Sequence, residues 1–267
     1  MNYLDQLENN SIYVIREAYH QFKNLTLLWS IGKDSTTLLW LCRKAFFGEI
    51  PFEVMHIDTT FKFPEMYAFR DHWAKEWGLN LVVEKNEEAI AKGINYDDHD
   101  AFTCCHELKT VALQKAIIKR RYDALLVGIR RDEHSIRAKE RVFSPRNIDF
   151  KWDYKNQSPE MWDHYQSDAD AGQHLRVHPL LQWTELDIWK YIEREGIPTN
   201  ELYFAKNGKR YRSLGCMPIT TPVESEADTL DKIVEELLST DTAERSGRAQ
   251  DKESAYMMQK LRSLGYM

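Results

Sequence analysis

Residues 25–40 read LTLLWSIGKDSTTLLW. An apolar run from Leu25 to Trp29 stops at Ser30, passes through Ile31, Gly32, Lys33, Asp34 and Ser35, and then apolar residues return. A short continuous apolar run suits a strand buried on both faces of a parallel sheet. Residues 36–47 that follow read as a helix. Strand, polar elbow and helix together favour an anion. Gly32 lets the backbone come close and take unusual dihedrals. The start of the helix presents unpaired N–H groups and the positive end of its dipole. Lys33 adds a charge, and Ser30 and Ser35 add hydroxyls. The elbow is not a Walker loop, because it lacks the first glycine and the spacing of G-x-x-x-x-G-K-[ST]. Asp34 is the odd member, since a carboxylate repels phosphate. It orients Lys33, holds the turn or touches a metal. The bland alternative for the whole stretch is an ordinary turn capped by Ser and Asp.

Outward from this elbow the pattern repeats. Residues 52–58, 80–85 and 123–129 read as further strands, and residues 3–22, 64–78 and 105–120 as helices. Strands alternating with helices at this spacing imply an α/β fold, a parallel twisted sheet flanked by helices. Residues 144–174 then mix Pro, Asn, Asp, Gln and aromatics without a period. A loop this long is usually functional or disordered, and its aromatics argue against simple disorder. VHPLLQWTELDIWKYIER restores a strand and a helix, with Thr184 and Asp187 spaced as a capping box. A last helix is expected over 229–239. The expected division is a nucleotide-binding α/β domain over residues 1–143 and a loop-rich, mostly helical region over 144–267, serving as lid and partner surface.

The chain has 267 residues, 43% hydrophobic and 29% charged, and a formal net charge of −6. That balance is ordinary for a globular protein and argues against a general nucleic-acid binder, though it permits a local cationic pocket. No run approaches the roughly 18 apolar residues of a membrane span, so no membrane contact is expected. The start, MNYLDQLENN, is acidic and polar, unlike a secretory signal. Four cysteines make no disulfide framework, and a reducing cytoplasm is the expected location.

The elbow SIGKDS resembles the S-x-G-K-D-S pyrophosphate loop (PP-loop) of the adenine nucleotide α-hydrolase-like superfamily, whose members cut ATP between the α and β phosphates. Further stretches narrow the resemblance: MHIDTTFKFPEMYAFRD, GIRRDEHSIRAKERVFSPRN, WDYKNQSPEMW, RVHPLLQWTELDIWKYI, RYRSLGCMPITTPVES and TAERSGRAQD. Together they resemble the small catalytic subunits of heterodimeric sulfate adenylyltransferases, from the first helix to the tail. The related phosphoadenylyl-sulfate and adenylyl-sulfate reductases share the loop and the DTTFKFPE-like stretch but match less elsewhere.

The resemblance implies the reaction of ATP with sulfate to give adenylyl sulfate and pyrophosphate, by attack at the α-phosphorus. Both reactants are anions, so the useful side chains are Arg and Lys. Lys33, with Ser30, Gly32, Asp34 and Ser35, is expected at the β and γ phosphates. Asp58 ends a strand at the sheet's carboxyl edge, where such folds bind ligands; it meets the nucleotide or Mg²⁺, or else caps a helix. Gly128 permits close approach of the nucleotide. Arg130 and Arg131, directly off a strand, are the expected sulfate and α-phosphate contacts, with Arg137 beside them or on a solvated helix face. Arg210 and Arg212 form a second candidate anion clamp. The family pairs its small subunit with a large GTPase, and this chain has no GTPase motif, so that partner is implied.

Two features depart from the family. An insertion usual before residue 210 is nearly absent. FTCCHELKT carries a Cys104–Cys105 pair that resembles the reductases' four-iron site, and Cys216 stands at a third ligand position, with Ile219 at the fourth. These three cysteines are either iron–sulfur ligands or buried small side chains. The competing functions are a reductase of the same superfamily, an ATP-dependent thiolation enzyme, and a noncatalytic nucleotide-binding module. No cysteine follows Cys216 to serve as a reductase's tail nucleophile.

Overall fold

The computed structural model describes residues 2–152, 157–162, 164–166, 173–240, 244–247, 260–261 and 264. Helix α1 (Tyr3–Gln21) opens on a capping box, in which Asn2 and Asp5 exchange hydrogen bonds of 2.9 Å. Strand β1 (Leu25–Leu28) is buried along its whole length, as its unbroken apolar run requires. Helix α2 (Lys33–Ala45) begins at Lys33, three residues before the expected start. Lys33, Asp34 and Ser35 are therefore first-turn helical residues rather than loop.

Alternation continues through β2 (Glu53–Ile57), α3 (Pro64–Glu76, with Pro64 in its first turn) and β3 (Leu81–Glu84). A short α4 (Glu87–Ala91) follows. The expected single helix over 105–120 is three pieces: α5 (Ala101–Cys105), a π-helical segment (His106–Val111) and α6 (Ala112–Arg120). Strand β4 (Ala124–Val127) completes the first half.

The sheet has six strands in the order β3-β2-β1-β4-β6-β5. Strand β6 (His174–Val177) runs parallel to β4, and β5 (Phe143–Arg146), unforeseen within the irregular stretch, pairs antiparallel to β6. Both come from the chain beyond β4, so one sheet draws on both expected regions. Helix α7 (Glu185–Glu195) starts on the expected capping box, with Thr184 Oγ1 accepting from Asp187 N–H at 3.1 Å. A two-stranded ribbon of β7 (Lys209–Arg210) and β8 (Val223–Glu224) precedes α8 (Leu230–Ser239). Among the described residues no helix is long and apolar enough to cross a membrane.

The core is continuous beneath both faces of the sheet. It includes the fully buried Trp183 and Trp189 beside Leu27, Leu126 and Leu175. Strands β1 and β4 lie at its centre, and their carboxyl ends deliver Ser30 and Gly128 to the same edge.

Candidate active site

The turn between β1 and α2 is unusual in its backbone. Ile31 is β-branched and buried, yet it has φ 67°, a left-handed conformation rare for such residues. Gly32 caps α2 without a side-chain hydrogen bond, leaving first-turn N–H groups to other acceptors. One of them, from Lys33, donates to the Tyr203 hydroxyl at 2.8 Å. The Ser30 and Ser35 hydroxyls lie 3.0 Å apart, and Ser35 donates to the Gly32 carbonyl at 3.1 Å. Gly128 packs directly on this turn. A Cβ there would stand 3.1 Å from the Asp34 carbonyl group and from Ser35 Cα, which is closer than a side chain can sit without moving backbone.

Asp34 has a definite place in an ion network. Its Oδ1 accepts from Arg130 Nε at 2.6 Å and its Oδ2 lies 3.2 Å from Lys33 Nζ. Arg130, fully buried, also donates to Asp132 at 2.9 Å. Glu244, from a 3₁₀ turn at Glu244–Gly247, bridges the two cations, one carboxylate oxygen on Lys33 Nζ and the other on Arg130 Nη2. Burial alone would lower the Lys33 ammonium, but Asp34, Glu244 and Glu185 outweigh it and raise its pKa. Burial alone would raise the Asp34 carboxyl, but Arg130 and Lys33 hold it down to about 2. Lys33 and Arg130 are thus charged at neutral pH, as an anion site needs.

A cavity open to solvent lies over the turn. Ser30, Gly32, Lys33, Asp34, Ser35 and Gly128 form one wall, and Lys62, Lys109, Glu133, Arg137, Tyr203 and Arg245 line much of the rest. Five cationic side chains against two carboxylates make this a cavity for an anion. The sequence reading missed Lys62, Lys109, Tyr203 and Arg245. The π-helical segment, a feature frequent at functional sites, presents Lys109, and the quoted TAERSGRAQD stretch contained Arg245.

Other expected residues lie elsewhere. Beyond the end of β4, Arg130 and Arg131 turn to different places: Arg130 reaches the ion network, while Arg131 lines a second cavity with Arg141, Glu160, His178 and Tyr13. Asp58 holds its own loop: it accepts from Thr60 N–H and from the Tyr67 hydroxyl, both at 2.8 Å, and pairs with Lys85 at 3.1 Å. It does not line the first cavity. Arg210 binds Glu236 at 2.7 Å, and Arg212 binds Glu185 at 2.9 Å, so they are not one clamp. Arg137 pairs with Glu133, which also takes Arg245 at 2.9 Å.

The cysteines divide. Cys104 Sγ donates to the Asn95 carbonyl at 2.9 Å and packs with Ala89 and Leu108. Cys105 and Cys216 pack together on the other side, where the Tyr96 hydroxyl bonds to both thiols. Burial alone would raise the Cys216 thiol, but Lys62, Thr59, Tyr96 and Lys109 outweigh it and lower its pKa. Among the described residues, no three His, Cys, Asp or Glu side chains are grouped to hold a metal. The residues present do not fit a four-iron cluster.

The fold and this cavity define a nucleotide-binding α/β protein of the PP-loop type. Residues 24–222 match the phosphoadenosine phosphosulfate reductase domain family. Over its full length the chain is 45% identical to a sulfate adenylyltransferase subunit 2 of Pseudomonas putida, in an alignment of 300 residues that covers 98% of that protein. The corresponding protein of Pseudomonas fluorescens is 44% identical over the same coverage. Among solved structures, a phosphoadenylyl-sulfate reductase from Candida auris in a phosphate complex superposes with TM-score 0.56 at 18% identity, covering 84% of this chain and 98% of that one. An FMN adenylyltransferase from Candida glabrata, bound to FMN and an ATP analogue, superposes with TM-score 0.55 at 18% identity, covering 82% and 64%. These two show a shared fold. The chain belongs to the phosphoadenosine phosphosulfate reductase domain family and, within it, to the sulfate adenylyltransferase subunit 2 enzymes, which are nucleotidyltransferases.

Proposed function

We propose that the chain transfers the adenylyl group of ATP to sulfate, releasing pyrophosphate, and does so with a large GTPase subunit. The observation that carries this reading is the convergence of five cations on a cavity walled by the pyrophosphate-type turn, in a chain with full-length similarity to subunit 2 enzymes.

In this reading Lys33, the Ser30 and Ser35 hydroxyls and the amides after Gly32 hold the β and γ phosphates. Lys33 stabilises charge as pyrophosphate departs. Gly128 keeps the adjoining wall low enough for the nucleotide. Asp34 makes no contact with phosphate; it fixes Arg130 and Lys33 in place. Lys62, Lys109 and Arg137 line the part of the cavity where the acceptor oxyanion sits and offset its repulsion from the α-phosphate. Arg131, Asp58 and Arg210 have no part in this chemistry. Sulfate is fully ionised at neutral pH, so the step needs no general base. Mg²⁺ enters as the metal complex of ATP, since the carboxylates near the cavity are already engaged by Lys and Arg.

Forming a phosphosulfate anhydride from ATP is uphill, which gives the GTPase partner its purpose. The test is pyrophosphate release from ATP and sulfate by the chain with and without its large subunit. Release that needs sulfate, and that rises with the partner and GTP, supports the reading. ATP cleavage that is indifferent to sulfate defeats it.

A further inference from the structure

We propose that Glu244 is an internal stand-in for pyrophosphate, and that the turn carrying it leaves the site each time a polyphosphate enters. The inference rests on reading the β1–α2 turn as the pyrophosphate seat. Glu244 is 8% exposed and spreads its two carboxylate oxygens over Lys33 and Arg130. Two oxygens of one anion spanning two cations is how a phosphate group would engage the same pair.

The charges around these cations show that something must move. Lys33 and Arg130 are approached by Asp34, Asp132, Glu185 and Glu244. With all four in place, Lys33 already faces Asp34, Glu185 and Glu244, and a polyphosphate would meet a carboxylate where it needs an ammonium. Asp34 cannot withdraw, because it follows Lys33 in the first turn of α2. Glu185 is held on α7 by Arg212. Asp132 accepts from the Glu185 N–H at 2.8 Å and so belongs to the start of α7. Glu244 lies in a four-residue turn outside the sheet and the α-helices, and unlike Asp132 it is not tied to the start of α7. Among the described residues, this turn is held by ion pairs of Glu244 with Lys33 and Arg130 and by that of Arg245 with Glu133 at 2.9 Å.

Exchange of Glu244 for pyrophosphate keeps both cations paired throughout, so neither is left as a lone buried charge. It also places Arg245, already on the cavity wall, on the segment that moves. Return of Glu244 after reaction competes with pyrophosphate and hastens its release. Occupancy of the site by Glu244 lowers apparent affinity in proportion to the fraction of molecules closed.

Two measurements on the full chain decide the matter. Pyrophosphate binding is measured by calorimetry for wild type, Glu244→Gln and, as a control of equal charge change away from the cavity, Glu88→Gln, whose carboxylate pairs with Lys115; amide hydrogen exchange over residues 244–247 is followed in wild type with and without pyrophosphate. The expected results are roughly tenfold or more tighter binding by Glu244→Gln, little change for Glu88→Gln, and faster exchange over 244–247 when pyrophosphate is added. Unchanged or weaker binding by Glu244→Gln overturns the proposal, as does equal tightening by Glu88→Gln, which would mark a general charge effect. Exchange that is unchanged or slowed by pyrophosphate overturns it too, and this arm needs no variant to fold. Wild-type protein that binds neither pyrophosphate nor ATP defeats the nucleotide reading itself, a failure visible before any variant is compared.

Discussion

Lys33 and Gly128 carry the sharpest expectations for single residues. Lys33 is the one ammonium rooted in the β1–α2 turn and pointed into its ion network. Lys33→Ala should lower ATP–pyrophosphate exchange by about 100-fold or more, and near-normal exchange would remove the turn from the mechanism. Gly128→Ala adds a Cβ only 3.1 Å from the backbone of Asp34 and Ser35. Because that neighbour is backbone, the turn itself must shift. The expected result is a stability loss of about 1–3 kcal/mol in urea melts, together with a raised KM for ATP. The elbow could be read from sequence because its chemistry is local: glycine, lysine and hydroxyls within six positions. Asp34 could not be interpreted that way, since its role depends on Arg130, which lies 96 positions away. Arg131 parts from Arg130 for a related reason: adjacent arginines need not share a direction, and Arg131 lines a different cavity.

At the scale of elements, the strands and helices with strong periodicity were legible, and the missed ones had none. Strand β5 contains Pro145 and Arg146, and β7 and β8 are two residues each, too short for a pattern to show. The π-helical segment was invisible because its residues, HELKTV, suit an α-helix equally well. The capping box at Thr184 was legible because it is a pair of residues at fixed spacing. It also has functional reach, because α7 begins with Glu185, which holds Arg212 and lies 4.0 Å from Lys33. Thr184→Ala should cost about 1 kcal/mol, seen as a lower Tm. It should disturb ATP binding more than an equally costly change on the exposed face of α8. Equal effects from both would mean that the start of α7 has no special link to the site.

For the molecule as a whole, acid should be a specific threat. His56 lies inside β2, its Nδ1 2.8 Å from the Trp29 carbonyl, and its Nε2 finds no hydrogen-bond partner among the described residues. Burial, aided by the nearby Lys62, lowers its pKa to about 4. The unfolded chain takes up that proton near pH 6.5, whereas the folded chain does so only near pH 4. Between those values the unfolded state holds more protons, so stability falls as pH falls and levels off below. This one residue accounts for a loss of about 3 kcal/mol. Urea titrations from pH 7.5 to 4 should show that slope, and a folded His56→Gln variant should flatten it. An unaltered slope in the variant would assign the acid sensitivity to other groups.

The pairing of β4 with β6 has a consequence for how the protein is made. Val127 ends β4 and His174 begins β6, so the ribosome must deliver the intervening stretch before the central sheet can gain its next strand. At about 5–20 residues per second, one side of β4 stays open for roughly 2–10 seconds of translation. An open hydrogen-bonding edge on an apolar strand invites pairing with other chains. A chain cut after residue 143, at the expected boundary between the two regions, would keep that edge permanently. Such a fragment should aggregate where the whole protein does not, and any helper that shields nascent chains should matter most in that interval.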